Sequence, residues 1–141
     1  MNDLQYAKAH LGEHSVCLSG GGQVIISDER GGAPLIKLID DRTDLTGYSA
    51  ADKIVGKAAA MLFYKAGIVA IFGKTMSESA KEFLEDHGID YEYETLVTKI
   101  INRQGTDICP MEKTVLNISD ADEGYAALKD KLYRLKNSTT V

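Results

Sequence analysis

The stretch from Asn102 to Lys113, Asn-Arg-Gln-Gly-Thr-Asp-Ile-Cys-Pro-Met-Glu-Lys, gathers more reactive and charged side chains than any other part of the chain. Cys109 stands before Pro110, and proline suits the first turn of a helix, so the thiol falls at an expected helix start. Backbone amides at such a start lower a thiol's pKa and can collect an anion. Arg103 adds a two-pronged donor for a carboxylate or phosphate, with Asn102 beside it. Asp107 and Glu112 work against a thiolate at the same place. The structural alternative is a loop in which Cys109 caps the helix and Arg103 pairs with Glu112.

A second group is Ser49, Asp52, Lys53 and Lys57. Ala51, Ile54, Val55, Ala58, Met61 and Leu62 recur at helical spacing, which predicts a helix over Ala50–Ala66. Ser49 and Asp52 then form a capping box at its start. Lys53 and Lys57 are four apart and share a face beside the helix N-terminus, an arrangement that invites an anionic ligand. A carboxylate held against two lysines can also act as a general base.

Other chemistry is excluded. Gly56-Lys57 and Gly73-Lys74-Thr75 look like ends of a Walker loop, but positions 51 and 68 are Ala and Ile, so the leading glycine is missing. Gly20-Gly21-Gly22 leads into a strand pattern and is no dinucleotide fingerprint. His10, His14 and Cys17 have a chelating spacing, but Gly12 breaks the helix between the histidines. His87 before Gly88 reads as a residue at a helix C-terminus, and Cys17 as a small buried hydrophobe. No metal and no cofactor are expected.

Those residues need a scaffold, and 141 residues suffice for one domain, expected over 1–141. Apolar residues make up 44% and charged residues 26%, which excludes global disorder. The net charge of −5 argues against nucleic-acid binding. The longest apolar run, Ala58–Tyr64, is far too short to cross a membrane. Two cysteines fit a reducing compartment, and the polar start Met1–Tyr6 lacks the features of a signal peptide, so a cytoplasmic location is expected.

Periodicity and turn chemistry supply the rest. Asp3–Leu11 reads as a helix stopped at Gly12, and Ser15–Ser19 with Gln23–Ser27 as a hairpin around the three glycines. Glu29–Gly32 is a turn and Ala33–Asp40 a short helix. Ile68–Phe72 is a strand covered on both faces, followed by a helix capped by Thr75 and Glu78 and ending at His87-Gly88. Ile89–Thr95 is a further strand, and Leu96–Gly105 remains unassigned. Ser119 and Asp122 cap a last helix with Tyr125, Leu128, Leu132 and Leu135 on one side. A hairpin followed by alternating helices and strands gives a mixed central sheet in a three-layer α/β/α sandwich.

Three strings then become informative: Gly47-Tyr48-Ser49-Ala50-Ala51-Asp52-Lys53-Ile54-Val55-Gly56-Lys57-Ala58-Ala59-Ala60, Tyr93-Glu94-Thr95-Leu96-Val97, and Ile101-Asn102-Arg103 leading to Cys109-Pro110-Met111-Glu112-Lys113. From about His14 to Val115 the chain resembles a small prokaryotic family, a domain of unknown function with a cytidine-deaminase-like fold. The resemblance implies that fold and a homo-oligomer. It does not bring the activity, because zinc deaminases need H-x-E, or its Cys variant, and P-C-x-x-C at two helix starts. Here those places read Ala51-Asp52-Lys53-Ile54-Val55-Gly56-Lys57 and Thr75-Met76-Ser77-Glu78-Ser79, and Cys109-Pro110 reverses the Pro-Cys order at a later place. The expectation is a module that binds a small anionic or nucleotide-like metabolite through Ser49, Asp52, Lys53, Lys57, Asn102, Arg103 and Cys109. The alternatives are a zinc-independent enzyme, with Cys109 as nucleophile or Asp52 and Lys57 as acid and base, and a partner-binding subunit.

Overall fold

The computed structural model describes residues 2–29 and 32–137; Arg30 and Gly31, inside the expected Glu29–Gly32 turn, lie outside them. The chain opens with helix α1 (Asp3–Leu11), where Asn2 and Gln5 form a capping box and Gly12 ends the run with a positive φ. Strands β1 (Val16–Gly20) and β2 (Gln23–Ser27) are antiparallel. Gly21 and Gly22 both have positive φ, which a two-residue turn matched to strand twist requires. Helix α2 (Ala33–Asp40) follows.

The expected helix over Ala50–Ala66 is two elements. Ser49–Val55 is a strand, β3, and the helix α3 covers only Lys57–Ala66, ending at Gly67 in the left-handed region. The capping box of Ser49 and Asp52 therefore does not exist, and Lys53 and Lys57 share no helical face. Strand β4 (Ala70–Ser77) continues past the expected Phe72 and takes in Thr75. Ser77, not Thr75, caps helix α4 (Glu78–Asp86), with its hydroxyl accepting from the Ala80 amide at 3.1 Å. Strand β5 (Asp90–Val97), the short helix α5 (Pro110–Thr114) and the helix α6 (Ala121–Asn137) complete the order. Asp120, rather than Ser119 with Asp122, caps α6 by accepting from the Glu123 amide at 2.8 Å.

These strands form one five-stranded mixed sheet in the order β2-β1-β3-β4-β5. β1 is antiparallel to both its neighbours, whereas β3, β4 and β5 run parallel. Helices flank both faces, as alternating strand side chains require. Cys17, Ala51 and Phe72, neighbours across β1, β3 and β4, pack under Ala7 and Leu11 of α1. Leu18, Ala50 and Ile71, one residue away in each strand, join the larger core with α2, α3, α4, α5 and α6.

Alternation fails at one level of the sheet, and three strands share the failure. Ala50 and Val55, Ile71 and Met76, and Tyr91 and Leu96 are each five apart, yet each pair packs on the same core. An odd separation would place them on opposite faces of a regular strand. The strand pairing skips Lys53, Lys74 and Glu94, which lie side by side in β3, β4 and β5. All three strands invert their pleat there together, so the register on either side is preserved. The inversion turns Val55 and Met76 inward beneath the starts of α3 and α4.

Candidate functional site

The chain leaves β3 at Val55 and enters α3 through Gly56, whose carboxylate neighbour comes from far along the sequence. Glu112 of α5 accepts from the Lys57 amide at 2.9 Å and from the Ala58 amide at 2.7 Å, one with each carboxylate oxygen. It thereby satisfies two of the four amides that a helix start leaves without partners. Glycine at 56 is a steric requirement, since a Cβ there would lie 2.5 Å from the Glu112 carboxylate. Burial pushes the Glu112 carboxyl up from its ordinary value, against the two amide bonds and the nearby Lys57 ammonium, which pull it down. The expected Arg103–Glu112 pair is replaced by this cap. The Lys57 ammonium donates to the Val115 carbonyl at 3.0 Å, fastening the end of α5 to the start of α3.

A groove of about 470 Å³ runs from this junction along α4. Lys57 and Glu112 close one end, and Ser79, Glu82, Phe83, Asp86 and His87 of α4 and its cap form one wall. The other wall is Thr98, Lys99 and Ile100 beyond β5, with Ile108, Leu116 and Ser119. His87 stacks on Phe83 with ring centres 4.0 Å apart, and its Nδ1 bonds the Phe83 carbonyl at 2.8 Å, so the imidazole is a fixed part of the wall. Glu82, Asp86 and Glu112 give the lining three carboxylates, against the ammonium groups of Lys57 and Lys99. Of these two, Lys57 is already held by a carbonyl.

The expected site residues do not converge on this groove. Ser49 is buried at the start of β3 and lines a separate surface concavity at the other end of the parallel strands, with Gly47, Ala70 and Asp90. Asp52 sits in mid-strand and accepts from the Ile54 amide at 3.1 Å. Desolvation pushes its carboxyl up to about 7, against the bonds from the Ile54 and Lys53 amides, which lower it. The Lys53 ammonium donates to the Glu13 carbonyl at 2.6 Å, and among the described residues neither Lys53 nor Lys57 forms an ion pair with Asp52. Asn102 folds back on its own loop, accepting from the Thr106 amide at 3.0 Å. Arg103 is exposed on that loop, and Cys109 is half-buried against the core at the start of α5. Only Lys57 of the seven lines the groove.

Among the described residues no three His, Cys, Asp or Glu side chains are grouped to hold a metal ion. His14 bonds Asp28 at 2.7 Å, and His10 stacks on Tyr6 with ring centres 3.9 Å apart. Cys17 is buried in β1, where desolvation raises its thiol pKa. No described helix is long and apolar enough to cross a membrane.

The fold and groove define an α/β domain with a five-stranded mixed sheet, flanked by helices, whose junction between β3 and α3 is closed by an internal carboxylate. Its residues 7–132 match the model of the DUF1893 domain of unknown function, typified by TM1506, and the chain belongs to that family. The crystal structure of a DUF1893 family protein, TM1506 from Thermotoga maritima, is similar, with a TM-score of 0.81 and 26% sequence identity over 93% of this chain and 91% of that one. No curated protein matches the chain.

Proposed function

We propose that this is a small-metabolite-binding domain of cytidine-deaminase-like fold that works without zinc, with the groove between α4 and the segment 98–119 as its binding site. The deaminase-like reading is supported by the order of the sheet, in which an antiparallel hairpin precedes three parallel strands. The starts of α3 and α4 read Gly56-Lys57-Ala58 and Ser77-Glu78-Ser79, so neither supplies the thiolate or imidazole that a zinc hydroxide needs. The observation that carries the binding reading is the groove lining of Glu82 and Asp86 beside the aromatic wall of Phe83 and His87. The carboxylates of Glu82 and Asp86 favour a ligand rich in N–H donors, such as a nucleobase or an amine, since both oxygens of Glu112 already accept from amides of α3. A phosphate or carboxylate is disfavoured, because Glu112 already holds the amides at the start of α3.

The test is protein-observed NMR with cytosine, adenine and putrescine, and inorganic phosphate as the anionic comparison. A donor-bearing probe is expected to shift the amides of Ser79, Glu82 and Lys99, and Glu82→Ala is expected to weaken that response. Shifts confined to Ser49, Gly47 and Asp90, or a response to phosphate alone, refute the assignment.

A further inference from the structure

The two edges of the sheet are chemically unlike. β5 carries Asp90, Glu92 and Glu94, and such charges keep an edge strand from pairing with another chain. β2 reads Gln-Val-Ile-Ile-Ser, with no charge, no proline and no partner along its outer side among the described residues. Val24 and Ile26 are 40% and 43% exposed, large for apolar residues at the centre of a strand.

The two-residue turn at Gly21-Gly22 makes Gly20 and Gln23 the closing hydrogen-bonded pair. Bonded and non-bonded pairs alternate from there, so Gln23, Ile25 and Ser27 direct their amides and carbonyls to β1. Those of Val24 and Ile26 point outward, and among the described residues no strand pairs with them.

We infer that β2 is a docking edge for a second copy of this chain, joining two sheets antiparallel about a two-fold axis at Ile25. That register sets Val24 against the partner's Ile26 as a hydrogen-bonded pair, twice over by symmetry. It also covers both exposed side chains on the face that carries α1. The charges agree: Asp28, next to the end of β2, falls opposite the partner's Gly22, so no like charges meet. The same operation at β5, centred on Glu92, would set Glu92 against its own copy and Asp90 against the partner's Glu94.

Sedimentation equilibrium of the full chain, with amide exchange measured in parallel, tests this. The expected species has twice the 15.4 kDa chain mass, and the Val24 and Ile26 amides gain protection as concentration rises. Val24→Lys is expected to weaken association at least about tenfold, the effect of roughly 1.4 kcal/mol, while Glu94→Gln on the opposite edge leaves it unchanged. A monomer at all concentrations refutes the inference. So does a dimer in which the Val24 and Ile26 amides exchange at the same rate at every concentration, a result readable on the unmodified chain if the lysine variant misfolds.

Discussion

Asp52 provides a sharp test of how this sheet distributes burial. Its carboxyl lies in β3, one residue before the pleat inversion, and desolvation moves its pKa from 3.8 to about 7. Well below pH 3.8 the group is protonated in both folded and unfolded chains. Between pH 4 and 7 the unfolded chain is ionised while the folded chain retains the proton. The folded state therefore binds more protons there, and stability falls as pH rises, levelling off above the folded pKa. Each pKa unit corresponds to about 1.36 kcal/mol, so the full loss is about 4 kcal/mol, and about 2–4 kcal/mol allowing for partial solvent access. Asp52→Asn removes the charge and keeps the oxygen that accepts from the Ile54 amide. The variant is expected to match the parent near pH 4 and to exceed it by about 2–4 kcal/mol at pH 8. In a chain of this size that is a rise in Tm of roughly 6–12 °C. Urea unfolding of both proteins at pH 4, 6 and 8 measures the difference directly. A difference that stays constant with pH, or a variant less stable at pH 8, refutes the assignment of a desolvated carboxyl.

Two further outcomes follow from the junctions around the groove. Glu112→Ala strips the carboxylate from the Lys57 and Ala58 amides, and with water reaching the space from the groove the cost is about 2–3 kcal/mol, read by chemical unfolding. The two thiols are expected to differ in native-state labelling by a maleimide. Cys109, half-buried at the start of α5, reacts first, and Cys17, sealed beneath α1 with a raised pKa, reacts only on unfolding; equal rates contradict the packing of α1.

Much of the scaffold is legible in the residue order. Asp3–Leu11, Gln23–Ser27 and Ala33–Asp40 stand where spacing and turn residues put them, because each is governed by local rules of period and punctuation. The error at Ala50–Val55 has a structural cause. Ala50 and Ala51 are both buried because helices cover both faces of the sheet, and the pleat inversion at Lys53 then turns Val55 inward and leaves Ile54 outside. Joined to Ala58, Met61 and Leu62 of α3, that pattern imitates one long helix. The same inversion hid the end of β4, where Met76 packs inward five residues after Ile71. The inversion needs the neighbouring strands to share it, so a single strand's sequence carries little trace of it.

The site was less legible for a related reason: its key contact joins residues 55 apart in sequence. Gly56 and Glu112 are each unremarkable alone, a glycine before a helix and an acid in another helix's first turn. Together they decide what the start of α3 can bind. A helix N-terminus attracts anions because its amides lack partners, and here a carboxylate from the same chain takes two of them, with no room for even a methyl group at position 56. An external phosphate would have to displace Glu112 and with it the packing of α5, whose end the Lys57 ammonium fastens down. The positive charge that made Lys53 and Lys57 look like an anion site is thus spent on backbone carbonyls of the fold. What remains facing the groove is mainly acidic, and this distribution of charge is the reason for assigning it to donors of hydrogen bonds.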